Sequence, residues 1–176
     1  MKKIFLCVLS VLCVLFSFEK ASPVVDPNTL EKIDPAFAEA SSVLKGALSK
    51  DKNEFSPDKA IDGKWETAWA EGVKGPGVRE WIRLVLARPE TINRIAIIPG
   101  WAKNRVRWVN NPRVKRATIS FSTGYAAPAQ FEDHMAFQFV ETHYDKPVTW
   151  VQITVDEVYP GKKFEDLCIS EIELYR

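Results

Sequence analysis

The sequence is short of the residue types from which most active sites are built. It has 3 cysteines and 2 histidines among 176 residues. Cys7 and Cys13 lie in an apolar N-terminal stretch, so Cys168 stands alone in the remainder and an intrachain disulfide is excluded there. Flanked by Leu167 and Ile169, Cys168 reads as a buried apolar thiol rather than a reactive one. His134 and His143 have no cysteine or acid at metal-ligand spacing, so no zinc site is legible. No G-x-S-x-G elbow or phosphate-cradling glycine loop occurs, and Gly72, Gly75 and Gly77 read as turn glycines ahead of a strand. Adjacent acids such as Asp156-Glu157 and Glu165-Asp166 are open to glycosidase chemistry, but such pairs are common on any surface. These absences remove the reasons to propose an enzyme: the expectation is a non-catalytic protein, with a hydrolase of unrecognised site as the least favoured alternative.

Charge of either sign is also missing as an overall bias. The chain has 24 basic and 23 acidic side chains, which gives no electrostatic footprint for nucleic acid. A long apolar run occurs once, from Ile4 to Phe18 behind Lys2 and Lys3. At about 15 residues it falls short of the ~20 that span a bilayer and has the polarity of a secretory signal. The expectation is a signal peptide over residues 1–21 and an exported protein, in the periplasm, at the cell surface or secreted; the alternative is a retained membrane anchor. Residues 22–40 carry Pro23, Pro27 and Pro35 and read as a linker with one short helical turn around Thr29 to Ile33. The folded domain is expected over residues 41–176, enough for one core and too few for two ordinary domains.

What fills that domain is strand-like. Trp81–Ala87, Thr91–Ile98, Val114–Phe121, Phe137–Val140, Thr149–Val155 and Ile169–Tyr175 are short runs of β-formers stopped by Gly, Pro and Asn. No helical periodicity lasts more than two turns. The pattern predicts an all-β fold, an antiparallel β-sandwich or barrel. Trp69, Trp81 and Trp150 lie in strand-like surroundings and are expected in the core.

Three segments in order carry a resemblance: Ala60-Ile-Asp-Gly-Lys-Trp-Glu-Thr-Ala-Trp69, Trp81-Ile-Arg-Leu-Val-Leu86, and Cys168-Ile-Ser-Glu-Ile-Glu-Leu-Tyr175. Together they resemble the discoidin-like, coagulation factor 5/8 C-terminal family of galactose-binding-type sandwiches. Gly100-Trp-Ala-Lys103, Asn110-Asn111 with Arg113-Val114-Lys115, and Val158-Tyr-Pro-Gly161 are similar to its NAD-glycohydrolase-type glycan-binding subgroup. The resemblance implies a jelly-roll sandwich that binds a glycan or glycoconjugate on loops at one end, as a monomer. It also implies a structural calcium ion held by Asp62, Thr67 and Glu171 with the carbonyls of Ala60 and Lys64. A hard cation takes about 6–8 oxygen ligands of these kinds. Many relatives carry an acid where Lys64 stands, so one carboxylate is missing here.

The least ordinary stretch runs from Trp101 to Arg116. It holds Lys103, Arg105, Arg107, Arg113, Lys115 and Arg116 without one acid, interleaved with Trp101, Trp108, Asn104, Asn110 and Asn111. Exposed indoles stack on sugar rings or wedge into lipid headgroups. Arginine suits carboxylate, sulfate or phosphate, and amides suit paired hydroxyls. The expected ligand surface is Trp101, Lys103, Arg105, Arg107, Trp108, Asn110, Asn111 and Arg113, joined by Tyr159 and Lys162 from a second loop. Two alternatives stand beside it. The indoles can cover the open end of the sandwich, with the charges balanced by Glu132, Asp133 or Glu141. The same loop can instead engage a protein or an anionic membrane surface.

Overall fold

The computed structural model describes residues 30–45 and 54–176. The expected signal over 1–21, and the part of the expected linker before residue 30, lie outside the described residues. Short strands with one apolar face need a second sheet to cover that face, and the chain supplies two antiparallel layers. One layer has the order β1 (Lys32–Ile33), β11 (Glu171–Tyr175), β5 (Arg94–Ile98), β8 (Gln138–Glu141). The other has the order β2 (Phe37–Ala40), β4 (Trp81–Glu90), β9 (Val148–Tyr159), β6 (Arg113–Phe121), β7 (Ala126–Gln130). A two-stranded ribbon, β3 (Trp69–Ala70) with β10 (Cys168–Ile169), caps one end. The fold is the all-β antiparallel sandwich that the strand pattern predicts.

Period-two alternation decides which residues form the core. Ile82, Leu84 and Leu86 of β4 point inward with Val151 and Ile153 of β9 and Ile119 and Phe121 of β6. They meet Ile95 and Ile97 of β5 and Ile172 and Leu174 of β11 from the other layer. Trp69 joins this core with no exposed surface, and its Nε1 donates to the Ser42 carbonyl at 3.0 Å.

Several expectations need correction. Residues 32–40 are not a linker: β1 pairs with β11 and β2 with β4, so the sheets begin upstream of Ser41. Lys32 and Ile33 are strand, not helical turn, because Tyr175 and Leu174 offer them an open edge. Trp81 and Trp150 are not core. They stand half-buried on the outer face of the five-stranded sheet and flank the Arg83 guanidinium, whose carbon is 5.0 and 4.5 Å from their ring centroids. The last strand is interrupted at Ser170, whose Oγ donates to the Trp65 carbonyl at 3.0 Å and accepts from the Ala102 amide at 2.8 Å. The edge strand β7, rich in alanine and carrying Pro128, gave no sequence signal; proline is tolerated at an edge because one side of that strand needs no donor.

Cys168 is buried as expected, and desolvation pushes its thiol far above the usual range. Close by, Glu71 is fully buried and forms no ion pair among the described residues. Its carboxylate accepts from the Val73 amide at 2.7 Å and the Leu167 amide at 3.2 Å, pinning the loop after β3 to the approach of β10. Burial raises its pKa and the two amides oppose that rise. Replacing Glu71 by Ala strands the buried Leu167 amide and frees the part-buried Val73 amide, so urea unfolding should show a loss of about 1–3 kcal/mol. The exposed Glu165→Ala should stay within about 0.5 kcal/mol of the parent.

Candidate functional site

Antiparallel pairing sends four connections to one end of the sandwich. They are the one between β2 and β4, described over 41–45 and 54–80, and residues 99–112, 131–137 and 160–167, and they include most of the residues singled out from the sequence. Within residues 99–112, Arg105–Asn110 forms a short helix, α1. Asn104 caps it by accepting from the Arg107 amide at 3.0 Å, and Asn111 ends it by donating its Nδ2 to the Arg107 carbonyl at 2.8 Å. The second loop is held against α1 through main chain: Lys162 donates to the Val109 carbonyl at 3.0 Å and Phe164 to the Asn110 carbonyl at 2.9 Å. Gly161 permits this approach, because an added Cβ there would lie 2.5 Å from the Asn110 oxygen.

At the centre of this end is Arg113. Its Nε and Nη2 grip Asp133 at 3.0 and 2.5 Å, while Nη1 donates to the Asn111 and Pro160 carbonyls at 3.0 and 2.9 Å. Asp133 Oδ1 also accepts from Trp108 Nε1 at 3.0 Å. One guanidinium therefore ties together three connections. Gly100 lets it in, since a Cβ there would meet the Arg113 side chain at 2.3 Å and the Trp108 ring at 2.9 Å.

This geometry overturns part of the expected ligand surface. Trp101 and Trp108 are 8% and 2% exposed, so neither offers an open ring face. Trp108 is the buried side of α1 and packs on Ile98 and Ala102, with Met135 and Phe137 alongside. Trp101 packs on Ala68, Ala70 and Cys168, meets Phe55 edge-on at 5.6 Å, and donates its Nε1 to the Glu66 carbonyl at 2.9 Å. Arg113 and Asn111 are buried and committed to the scaffold, and Tyr159 is half-buried with its hydroxyl donating to the Phe131 carbonyl at 3.0 Å. Short polar-looking segments hid these roles, because the pattern of neighbours in sequence does not reveal a lid of loops. Lys103, Arg105, Arg107 and Lys162 are exposed at this end, and Asn110 is half-buried. The Arg107 guanidinium carbon lies 4.7 Å from the Trp101 ring centroid. Lys115 and Arg116 belong elsewhere: both pair with Glu157 on the sheet face, at 2.5 and 2.7 Å. The exposed indole of this end is Trp65, 44% accessible and set edge-on against Phe137 at 5.5 Å.

The oxygen cluster assembles beside it. Thr67 Oγ1 donates to Asp62 Oδ1 at 2.8 Å and lies 2.9 Å from the Lys64 carbonyl, while Lys64 donates its amide to Asp62 Oδ1 at 3.1 Å. Glu171 Oε2 accepts from the Gly63 amide at 3.1 Å, which ties the loop to the start of β11. Ala60, fully buried, ends the preceding 3-10 turn. Glu171 is 1% exposed, and burial together with the nearby Asp62 charge pushes its carboxyl up to about 7.

The chain matches the family described as the NAD glycohydrolase translocation F5/8 type C domain over residues 32–175. No curated protein matches it. Among solved structures it is similar to the family 32 carbohydrate-binding module of Clostridium perfringens NanJ in complex with galactose. The two are 19% identical over 84% of this chain and 100% of that one, with a TM-score of 0.65. It is also similar to the corresponding module of AlyQ in complex with 4,5-unsaturated mannuronic acid, at 15% identity over 83% of this chain and 98% of that one, TM-score 0.55. A third similar structure is a module of a Clostridium perfringens enzyme in complex with GalNAc-β-1,3-galactose, at 18% identity over 79% and 94% of the two chains, TM-score 0.58.

Asp133 sets the acid tolerance of this end. Arg113 holds its carboxyl below the usual range, so its contribution is present above pH ~4 and is lost as pH falls through the lowered value. Asp133→Asn should unfold about 1–2 kcal/mol more easily at pH 7, with the gap to the parent closing on acidification below pH ~4 in parallel urea titrations. Two chains on the same acid side of that range should be indistinguishable.

The described loops and sheets thus belong to a protein of the NAD glycohydrolase translocation F5/8 type C domain family, built as a discoidin-like sandwich.

Proposed function

We propose that the protein is an exported, non-catalytic module that binds a glycan at the loop end of the sandwich. The observation that carries this reading is the loop end itself: three connections tied together by Arg113 and Asp133, with Lys103, Arg105, Arg107 and, on the neighbouring connection, Trp65 presented to solvent. Rigid loops bind with little ordering cost. Solved sandwiches of this fold are carbohydrate-binding modules held with galactose, a mannuronic acid derivative or GalNAc-β-1,3-galactose, which supports sugar as the ligand class. Binding uses the exposed cations and Trp65, while Trp101 and Trp108 act beneath them as packing. On a glycan array the folded protein should retain a subset of sugars and leave their glycosidic bonds intact, as read by unchanged reducing ends. A folded protein that retains no sugar, or that releases new reducing ends, refutes the reading.

A structural calcium ion at the Asp62 loop is the second element of the proposal. Two carboxylates, a hydroxyl and main-chain carbonyls form a hard-oxygen set of the kind calcium takes, and a buried Glu171 lifted to about 7 is a group that a cation would relieve. Ala60, Asp62, Lys64, Thr67 and Glu171 would hold the ion and join the loop to β11. Without the cation, the raised Glu171 stabilises the fold at acid pH and loses that contribution as pH rises from about 4.5 through 7. Calcium should therefore raise the melting temperature at pH 8 in the parent chain and not in Glu171→Gln. In chelator the order should reverse, with Glu171→Gln the more stable at pH 8. Equal calcium responses in both chains would remove Glu171 from the site.

A further inference from the structure

The surface around α1 differs from the sheets in how its charges are balanced: residues 99–112 carry no acid, while Glu66, Glu132, Glu165 and Asp166 come from neighbouring connections of the same end. On the sheet faces each cation has an acid against it: Arg83 with Glu39, Arg94 with Glu141, and Lys115 and Arg116 with Glu157. Among the described residues, Lys103, Arg105, Arg107, Lys162 and Lys163 form no ion pair, although all five are exposed. Asp133, the acid that feels Arg105, is already taken by Arg113 and Trp108. The Arg107 guanidinium lies over the Trp101 ring at 4.7 Å and has no side-chain hydrogen bond to protein among the described residues. The main-chain bond from Lys162 to Val109 brings the second loop's lysines beside the same short helix. Stacking surface is scarce here by comparison, since Trp65 is the exposed indole and Trp101 and Trp108 are closed.

From this imbalance we infer that the glycan recognised at the loop end is anionic, carrying carboxylate or sulfate groups, and that charge rather than ring stacking supplies its specificity. The inference rests on the glycan-binding reading above. Arg105 and Arg107 take the acid groups through paired N–H donors. Lys103, Lys162 and Lys163 set the surrounding potential and speed encounter with a polyanion. A sugar is favoured over a lipid headgroup because solved sandwiches of this fold hold sugars, one of them a uronic acid derivative.

The test is calorimetric titration of the full chain with polygalacturonate, its methyl-esterified form, neutral galactan and phosphatidylglycerol vesicles. Polygalacturonate should bind, esterification should weaken it about ten-fold or more, and added salt should weaken it further. Arg105→Gln and Arg107→Gln should each weaken it about three- to ten-fold. Lys115→Gln, whose amine is paired with Glu157 on the sheet face, should leave it unchanged. Unfolding midpoints equal to the parent would show that the arginine variants still fold. Equal binding of galactan and polygalacturonate, indifferent to salt and to both arginines, overturns the anionic specificity and leaves glycan binding standing. Binding to the vesicles with none to any sugar overturns both, and so does a folded protein that binds none of the four.

Discussion

The contact on which the loop end depends is the grip of Arg113 on Asp133. A guanidinium has five donors in a fixed plane, and four are used here to join three separate connections. Such a pair gains little where both charges face water. With the arginine 8% exposed it gains more, and the hydrogen bonds from its remaining donors satisfy what burial would otherwise strand. Trp108 then has a partner for its N–H only because Asp133 is already in place, and the helix that carries Arg105 and Arg107 is seated by Trp108. The exposed cations are thus positioned by a buried one.

This dependence also explains why the two tryptophans that look most like binding residues in the sequence are not on the surface. A sandwich leaves its ends open, and the inner residues of β5 and β10 need a cover there. Trp108 closes over Ile98, and Trp101 closes over Ala70 and Cys168. An indole does this well because its large apolar face can be buried while its single N–H finds an acceptor at the margin, here Asp133 and the Glu66 carbonyl. Covering the end turns soft loops into a stiff support. Above them Arg107 lies over the Trp101 ring and Arg105 faces solvent.

The strands were legible where apolar and polar positions alternate, as in β4 and β9, and the closing strand was legible as the run of β-formers from Ile169 to Tyr175. β1, β2 and β7 were not, since they are short or weakly β-forming and owe their conformation to the edges they pair with. The grouping of Asp62, Lys64, Thr67 and Glu171 came from the family resemblance, and the hydrogen bonds of Asp62 with Thr67 and Lys64 and of Gly63 with Glu171 bring these residues together. The exposed charge of the loop end was legible, and the burial of Trp101 and Trp108 was not. Arg113 and Arg105 look alike in sequence, yet one is sealed by Asp133 and two carbonyls and the other stands in water.

The oxygen cluster and the basic end also bear on each other through the loop that follows the 3-10 turn. Trp65 lies between them: its carbonyl accepts from Ser170 beside Glu171, and its ring leans on Phe137 next to the connection that carries Asp133. Gly63, two residues earlier, holds Glu171. A cation at the Asp62 loop would fix both ends of this short segment and with it the position of the exposed indole. If the proposed ion and glycan both bind, occupancy of that loop orders Trp65 ahead of the sugar and so couples the two.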